Sequence, residues 1–226
     1  YPEIKIAQWF LDRMDSEWKH NKKRFLDKIN YVDCSFCTTS PDILKFPKKN
    51  KVFYIPNPAD NSFENLNIDK KKYFKNDVFF AMSHGVHRGS LKKGKFDKRE
   101  KFINKLIKKT PNIKYDLYGL KNVQPIWADN FKVAVSNSKM GLNLSQGKSI
   151  KYYSSDRITQ LIANGLLTFI DKKTKLNDFF NNDEVVFYNS LKDLANKITK
   201  YSNDDILRRR IAKNGKEKYL KYLNSE

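Results

Sequence analysis

Apolar residues recur along this chain in two alternating modes. Short continuous runs such as Val78–Met82 and Leu166–Ile170 read as strands buried on both faces. Between them lie stretches with apolar residues at helical spacing, such as Phe102, Ile103, Leu106 and Ile107 within 97–109. The fullest example is Ser145–Ile170. It predicts a loop containing Gly147, a helix with Ile158, Leu161 and Ile162 on one face, a left-handed stop at Gly165, and a buried strand. Ser154 and Ser155 are the expected N-cap residues, with Asp156 in the first turn.

The same alternation covers the rest of the chain. Strands are expected over 4–10, 32–38 and 52–55, with helices over 15–29 and from Pro41 onward. A second series places strands at 78–82, 113–118, 140–144, 166–170 and 185–188. Its helices fall at 97–109, 130–137, 156–164, 176–180, 191–201 and 204–223. Alternating strands and helices predict an α/β fold, a Rossmann-like parallel sheet with helices on both faces, preceded by part of a second α/β domain. The Pro56-Asn57-Pro58 turn and the polar, Lys-rich stretch after it divide the two series. The expected division is 1–60 for the end of a first domain, 61–76 for a linker and 77–226 for the second domain. In parallel sheets ligands sit beyond the carboxyl ends of the strands. The loops 83–96, 119–127, 145–156 and 171–175 are therefore expected to converge.

Composition narrows the partners. The chain has 226 residues, 45 Lys+Arg against 25 Asp+Glu, and a formal net charge of +20. Such a field attracts phosphorylated substrates, anionic membrane or nucleic acid. The basic residues are spread along the chain, so most are solvated surface with a basic cleft as the remainder. No helix-turn-helix, zinc-finger or RNA-recognition pattern stands out, and no specific nucleic acid is expected. No apolar run reaches the eighteen or so residues of a membrane span. The chain opens on Tyr1 and is expected to be a piece of a longer protein, placed in the cytoplasm or at the inner face of the membrane. Cys34 and Cys37 form a lone C-x2-C inside a strand, without the second pair zinc requires. No metal and no cofactor is expected.

Several residues are candidates for chemistry. Lys148, Lys151 and Arg157 gather at the start of the 156–164 helix, where backbone N–H groups favour phosphate. The loop Ser83–Gly94 carries His84, Gly85, His87, Arg88, Gly89, Lys92 and Lys93. Its glycines permit close backbone approach and its cations supply charge. Gly89-x4-Gly94-Lys95 approaches a P-loop, but Phe96 stands where Ser or Thr would hold magnesium. Gly119, Trp127 and Ser145 fall at strand ends facing the same cleft.

Arg157 followed by QLIANGLLTFID resembles the nucleotide-binding helix and following strand of group 1 glycosyltransferases of the GT-B fold. VFYIPNPAD resembles the crossing from that family's acceptor domain to its donor domain. The resemblance implies a metal-independent, retaining hexosyltransferase. It would move a sugar from a nucleotide-sugar donor to a hydroxyl acceptor, glycan or lipid-linked, in polysaccharide or glycoconjugate synthesis. Peripheral contact with an anionic membrane is compatible with that role. Arg88 and Lys93, with His84 beside them, fall where the family places its catalytic cations. Gly85, Ser145, Ser155, Asp156 and Arg157 fall around the phosphates, and Gly119 and Trp127 near the base. The family's two carboxylates fall on Tyr152 and Gln160, and the amide of Gln160 can still bind a ribose hydroxyl. Two alternatives stay open: a basic nucleic-acid-binding protein, and a relative that keeps the fold without turnover.

Overall fold

The computed structural model describes residues 3–47, 50–83 and 97–224. Two parallel sheets organise them. In the first, β1 (Ala7–Phe10), β2 (Cys34–Cys37) and β3 (Val52–Tyr54) lie side by side in chain order. Trp9 pairs in register with Phe36, and Phe36 with Phe53. The helices α1 (Lys19–Ile29) and α2 (Pro41–Leu44) connect these strands. Phe25, Ile29, Leu44, Met14 and Cys37 form the core between sheet and helices.

The two largest shifts of a start from the sequence expectation lie here. The strand begins at Ala7, and Ile4 and Ile6 are exposed before it. The helix expected from residue 15 begins at Lys19. The Asp15 carboxylate accepts the backbone N–H groups of Glu17 and Trp18 at 2.9 and 3.1 Å, and this local turn competes with helix.

The second sheet has five parallel strands in the order β5-β4-β6-β7-β8. They are β4 (Asn76–Ala81), β5 (Tyr115–Tyr118), β6 (Ser138–Asn143), β7 (Leu167–Asp171) and β8 (Val186–Tyr188). The helices are α3 (Lys98–Lys109), α4 (Ala128–Ser136), α5 (Arg157–Ile162), α6 (Leu191–Asn203) and α7 (Asp205–Tyr222). Strand side chains alternate between two apolar layers. Val78, Phe80, Met140, Leu167 and Phe169 pack with Ile103 of α3, Ile198 of α6 and Ile211 of α7. On the other face Phe79 and Ala81 pack with Ala134 of α4 and Leu161 of α5. This is the α/β, Rossmann-like arrangement with helices on both faces. Local chemistry supports it. The Asp97 carboxylate caps α3 by accepting from the Arg99 N–H, and Ser190 and Asp204 cap α6 and α7 in the same way.

The strand order places the reversal point between β4 and β6. The chain leaves β4 for one edge strand, then returns past it to build the other side. Adjacent strands that diverge in this way leave a crevice at their carboxyl ends. Ser83 follows β4 there, and Leu144 and Ser145 follow β6.

The polar stretch after Pro58 is more ordered than a linker needs to be. It contains a 3₁₀ turn, Ile68–Lys70, whose Ile68 is fully buried. Leu66 N–H donates to Asn164 Oδ1 at 3.1 Å and Ile68 N–H to the Asn164 carbonyl at 2.9 Å. The far end of α7 returns to the same stretch, with Ala59 N–H donating to the Leu223 carbonyl at 2.7 Å. Tyr219, fully buried, donates its hydroxyl to the Asn57 carbonyl at 2.6 Å and contacts Thr159 Oγ1 at 2.9 Å. Tyr219→Phe keeps the packing and removes this tie. Thr159 Oγ1 still reaches the same carbonyl, so the loss should be about 1 kcal/mol, a fall in Tm of roughly 2–4 °C by thermal denaturation. No helix among the described residues is long and apolar enough to cross a membrane.

Candidate functional site

The site is built around the loop from β6 into α5. The helix starts one residue later than expected, at Arg157, and each expected capping group is used elsewhere. Ser154 Oγ pairs with the side chain of Asn143 at 2.9 Å. Ser155 Oγ accepts from Arg157 Nη1 at 3.1 Å. Asp156 occupies the N-cap, but its carboxylate accepts from Asn57 Nδ2 at 3.0 Å and caps no helix N–H. The far end follows expectation. Gly165 has φ +83°, its N–H donates to the Ile162 carbonyl, and Leu166 N–H donates to the Leu161 carbonyl.

Arg157 opens the helix and crosses the reversal point of the sheet. Its Nε donates to the Ala81 carbonyl at the end of β4, and its Nη1 to the Leu144 carbonyl just after β6, both at 3.1 Å. Its guanidinium also lies 5.2 Å from the ring centre of Phe80. Burial, with Arg99 nearby, holds its pKa down from the ordinary 12.5 to about 10. It remains a cation at neutral pH, in a place that disfavours cations.

Two cavities share this arginine, together with Ser83 and Ser155. One, of about 510 Å³, is also lined by Glu64, Trp127, Lys132, Asp156 and Gln160. The other, of about 270 Å³, lies between the two sheets and is lined by Arg13, Arg99, Ser145, Gln146 and Tyr153. Arg13 is 4% exposed and Arg99 8%. Arg13 Nε donates to Asp15 at 2.8 Å and its Nη1 to the Gln146 carbonyl, bringing the β1 loop against the β6 loop. Arg99 pairs with Asp97 at 2.7 Å. Three arginines from three elements thus face one small space. An anion entering it would be held by charge-assisted bonds, and would relieve the repulsion between Arg99 and Arg157.

The residues expected from sequence distribute unevenly. Trp127, Ser155, Asp156, Arg157 and Gln160 line the larger cavity, and Ser145 the smaller. Gly119 stands behind the wall, against Met82. Tyr152 is placed elsewhere, with φ +63°, its ring 5.0 Å from Tyr54 and 4.7 Å from Phe179, and its hydroxyl donating to Asp178 at 2.9 Å. That trio lines a separate, mainly apolar cavity of about 690 Å³ beside α7. Of the four loops expected to converge, the 171–175 loop lines neither site cavity, and its Asp171 and Thr174 border Lys148 and Ser149 instead. His84, Gly85, Arg88 and Lys93 lie outside the described residues. Sequence reasoning missed Arg13, Arg99 and Glu64. Arg13 follows the carboxyl end of β1, and applying the strand-end rule to the first sheet would have marked it.

Solved structures share this fold at low identity. TarM matches with 15% identity over 96% of this chain and 47% of its own, at a TM-score of 0.64. Sucrose-phosphate synthase from Thermosynechococcus elongatus matches with 13% identity over 94% of this chain and 60% of its own, at 0.57. HepE from Anabaena, solved in complex with UDP-glucose, matches with 11% identity over 96% of this chain and 68% of its own, at 0.65. The likeness establishes a GT-B fold, and the chain spans about half the length of TarM. No curated protein matches the chain. A model of the glycosyl transferase-like family matches residues 98–226, more than half of the chain, which therefore belongs to that family.

Proposed function

We propose that the two cavities bind a nucleotide-sugar donor and that the protein transfers its sugar to a hydroxyl acceptor. The observation that carries this reading is Arg157 across the reversal point, with Arg13 and Arg99 facing the same space. The 510 Å³ cavity has room for a nucleoside, with Trp127 as a half-exposed aromatic wall. The 270 Å³ cavity would take the diphosphate and the start of the sugar. As the glycosidic bond breaks, negative charge develops on the leaving diphosphate. Guanidinium groups already held by carbonyl and carboxylate partners stabilise that charge without reorganising. HepE, solved with UDP-glucose, supplies an example of such a ligand in this fold.

Under this reading residues 1–60 belong to the acceptor-side domain, 61–76 are the linker and 77–226 the nucleotide-sugar-binding domain. Metal independence, retention and a role in polysaccharide or glycoconjugate synthesis at the cytoplasmic side of a membrane rest on the group 1 resemblance. Arg88, Lys93 and His84 join the arginine set as proposed catalytic residues on the same ground.

Calorimetric titration with UDP, GDP, ADP and a short single-stranded DNA tests the reading. Saturable binding of one diphosphate, in the micromolar range, is the expected result. Binding of DNA alone, with affinity falling steeply as salt rises, would replace it with the nucleic-acid alternative.

A further inference from the structure

We infer that Glu64, from the stretch that reads in sequence as a linker, is the carboxylate that binds the ribose of the ligand and selects ribonucleotides over deoxyribonucleotides. This rests on the nucleotide-sugar reading above.

The backbone places Glu64 along α5. Asn57 contacts Asp156 and Thr159 at the start of the helix, and Leu66 and Ile68 are tied to Asn164 at its end. The intervening turn lies beside the middle of the helix, and Glu64 and Gln160 line the same cavity. The turn holds the carboxylate in place. Asp60 N–H donates to Glu64 Oε2 at 2.9 Å, while the N–H groups of Phe63 and Glu64 both return to the Asp60 carbonyl. No side chain among the described residues donates to the other oxygen, Oε1; besides Asp60 N–H, only the residue's own backbone N–H acts on the carboxylate as a donor. Lys132 and Asp60 are the charged groups acting on it, and partial burial raises its pKa.

A half-buried carboxylate with an open oxygen, on the wall of a nucleoside-sized cavity, suits a vicinal diol. Oε1 accepts from one ribose hydroxyl and the second lone pair of Oε2 accepts from the other. Gln160 carries an amide where the group 1 pattern has a carboxylate. It can bind a hydroxyl, but without the added strength of an ionised acceptor. The carboxylate missing from the helix is thus supplied from the facing turn.

The test compares UDP, GDP and ADP with their 2′,3′-dideoxy counterparts, on the full chain and on Glu64→Gln. The amide keeps the bond from Asp60 N–H, and a melting temperature within about 2 °C of the parent verifies the fold. The parent protein should prefer the ribose form by roughly ten- to a hundredfold. Glu64→Gln should reduce that preference to within about threefold while leaving dideoxy affinity unchanged. A variant that keeps the full preference overturns the role of Glu64 alone. A parent protein that binds no diphosphate of either sugar overturns this inference together with the reading it rests on.

Discussion

Arg157→Met should lower affinity for the nucleoside diphosphate by at least about a hundredfold while leaving the melting temperature within roughly 3 °C of the parent. The two halves have one cause. Arg157 is a cation in a place that disfavours cations, with its pKa held down to about 10 by burial and by Arg99. A folded-state pKa below the ordinary value means that the charged form opposes folding at every pH below that value. At neutral pH the cost is present in full. Methionine removes it, retains most of the side chain's length, and can keep contact with the Phe80 ring. Against this stand two lost donations, to the Ala81 and Leu144 carbonyls. The Ala81 carbonyl borders the larger cavity and is rehydrated, whereas Leu144 borders only a void of about 10 Å³, so that lost donation counts in full. The terms are of similar size, about 1–3 kcal/mol each, and nearly cancel. Binding has no such compensation. A phosphate oxygen loses a charge-assisted donor in a confined site, and about 2.7 kcal/mol is a hundredfold. Calorimetry and thermal denaturation on one preparation read both quantities. A large fall in melting temperature with unchanged binding would show that Arg157 only clamps β4 to β6.

Much of this architecture was legible because it is written locally. The apolar runs of β4, β6 and β7 announce strands buried on both faces, and the spacing of Ile103 and Leu106 announces the helix between them. The Gly165 stop follows from one residue. Where the sequence misled, a side chain had a better partner far along the chain. Asp156 turns from the helix it precedes to Asn57, 99 residues away. Tyr152, expected beside the donor, packs its ring at a tilt against Tyr54 and edge-on against Phe179. Arg13 reaches the site only because the loop after β1 meets the loop after β6, and Glu64 only because the stretch after Pro58 is tied to both ends of α5. Hydrophobic periodicity reports which face of an element is buried, but not which loop of another sheet it will meet.

Gly119→Ala should be the most damaging single-methyl change in the described chain. Gly119 ends β5 with φ +77°, and a Cβ built there would stand 1.7 Å from the Met82 carbonyl oxygen and 2.7 Å from its carbon. Both are backbone atoms, so no side-chain rotation relieves the overlap. Met82 N–H donates to the Tyr118 carbonyl at 3.0 Å, which ties the two strand ends together at this level. The methyl must therefore push the end of β4 away from β5, in a conformation that alanine already disfavours. On the order of 3–5 kcal/mol is expected, a fall in Tm of roughly 6–20 °C for a chain of this length. The displaced segment, Met82–Ser83, is also a wall of the larger cavity, and Ser83 borders the smaller one. Diphosphate affinity should therefore fall in the same variant even well below its melting temperature. The two effects separate by comparison with Tyr219→Phe, which loosens the fold away from both cavities. If Gly119→Ala weakens binding no more than Tyr219→Phe does, the close contact of Gly119 with Met82 maintains the sheet and not the site.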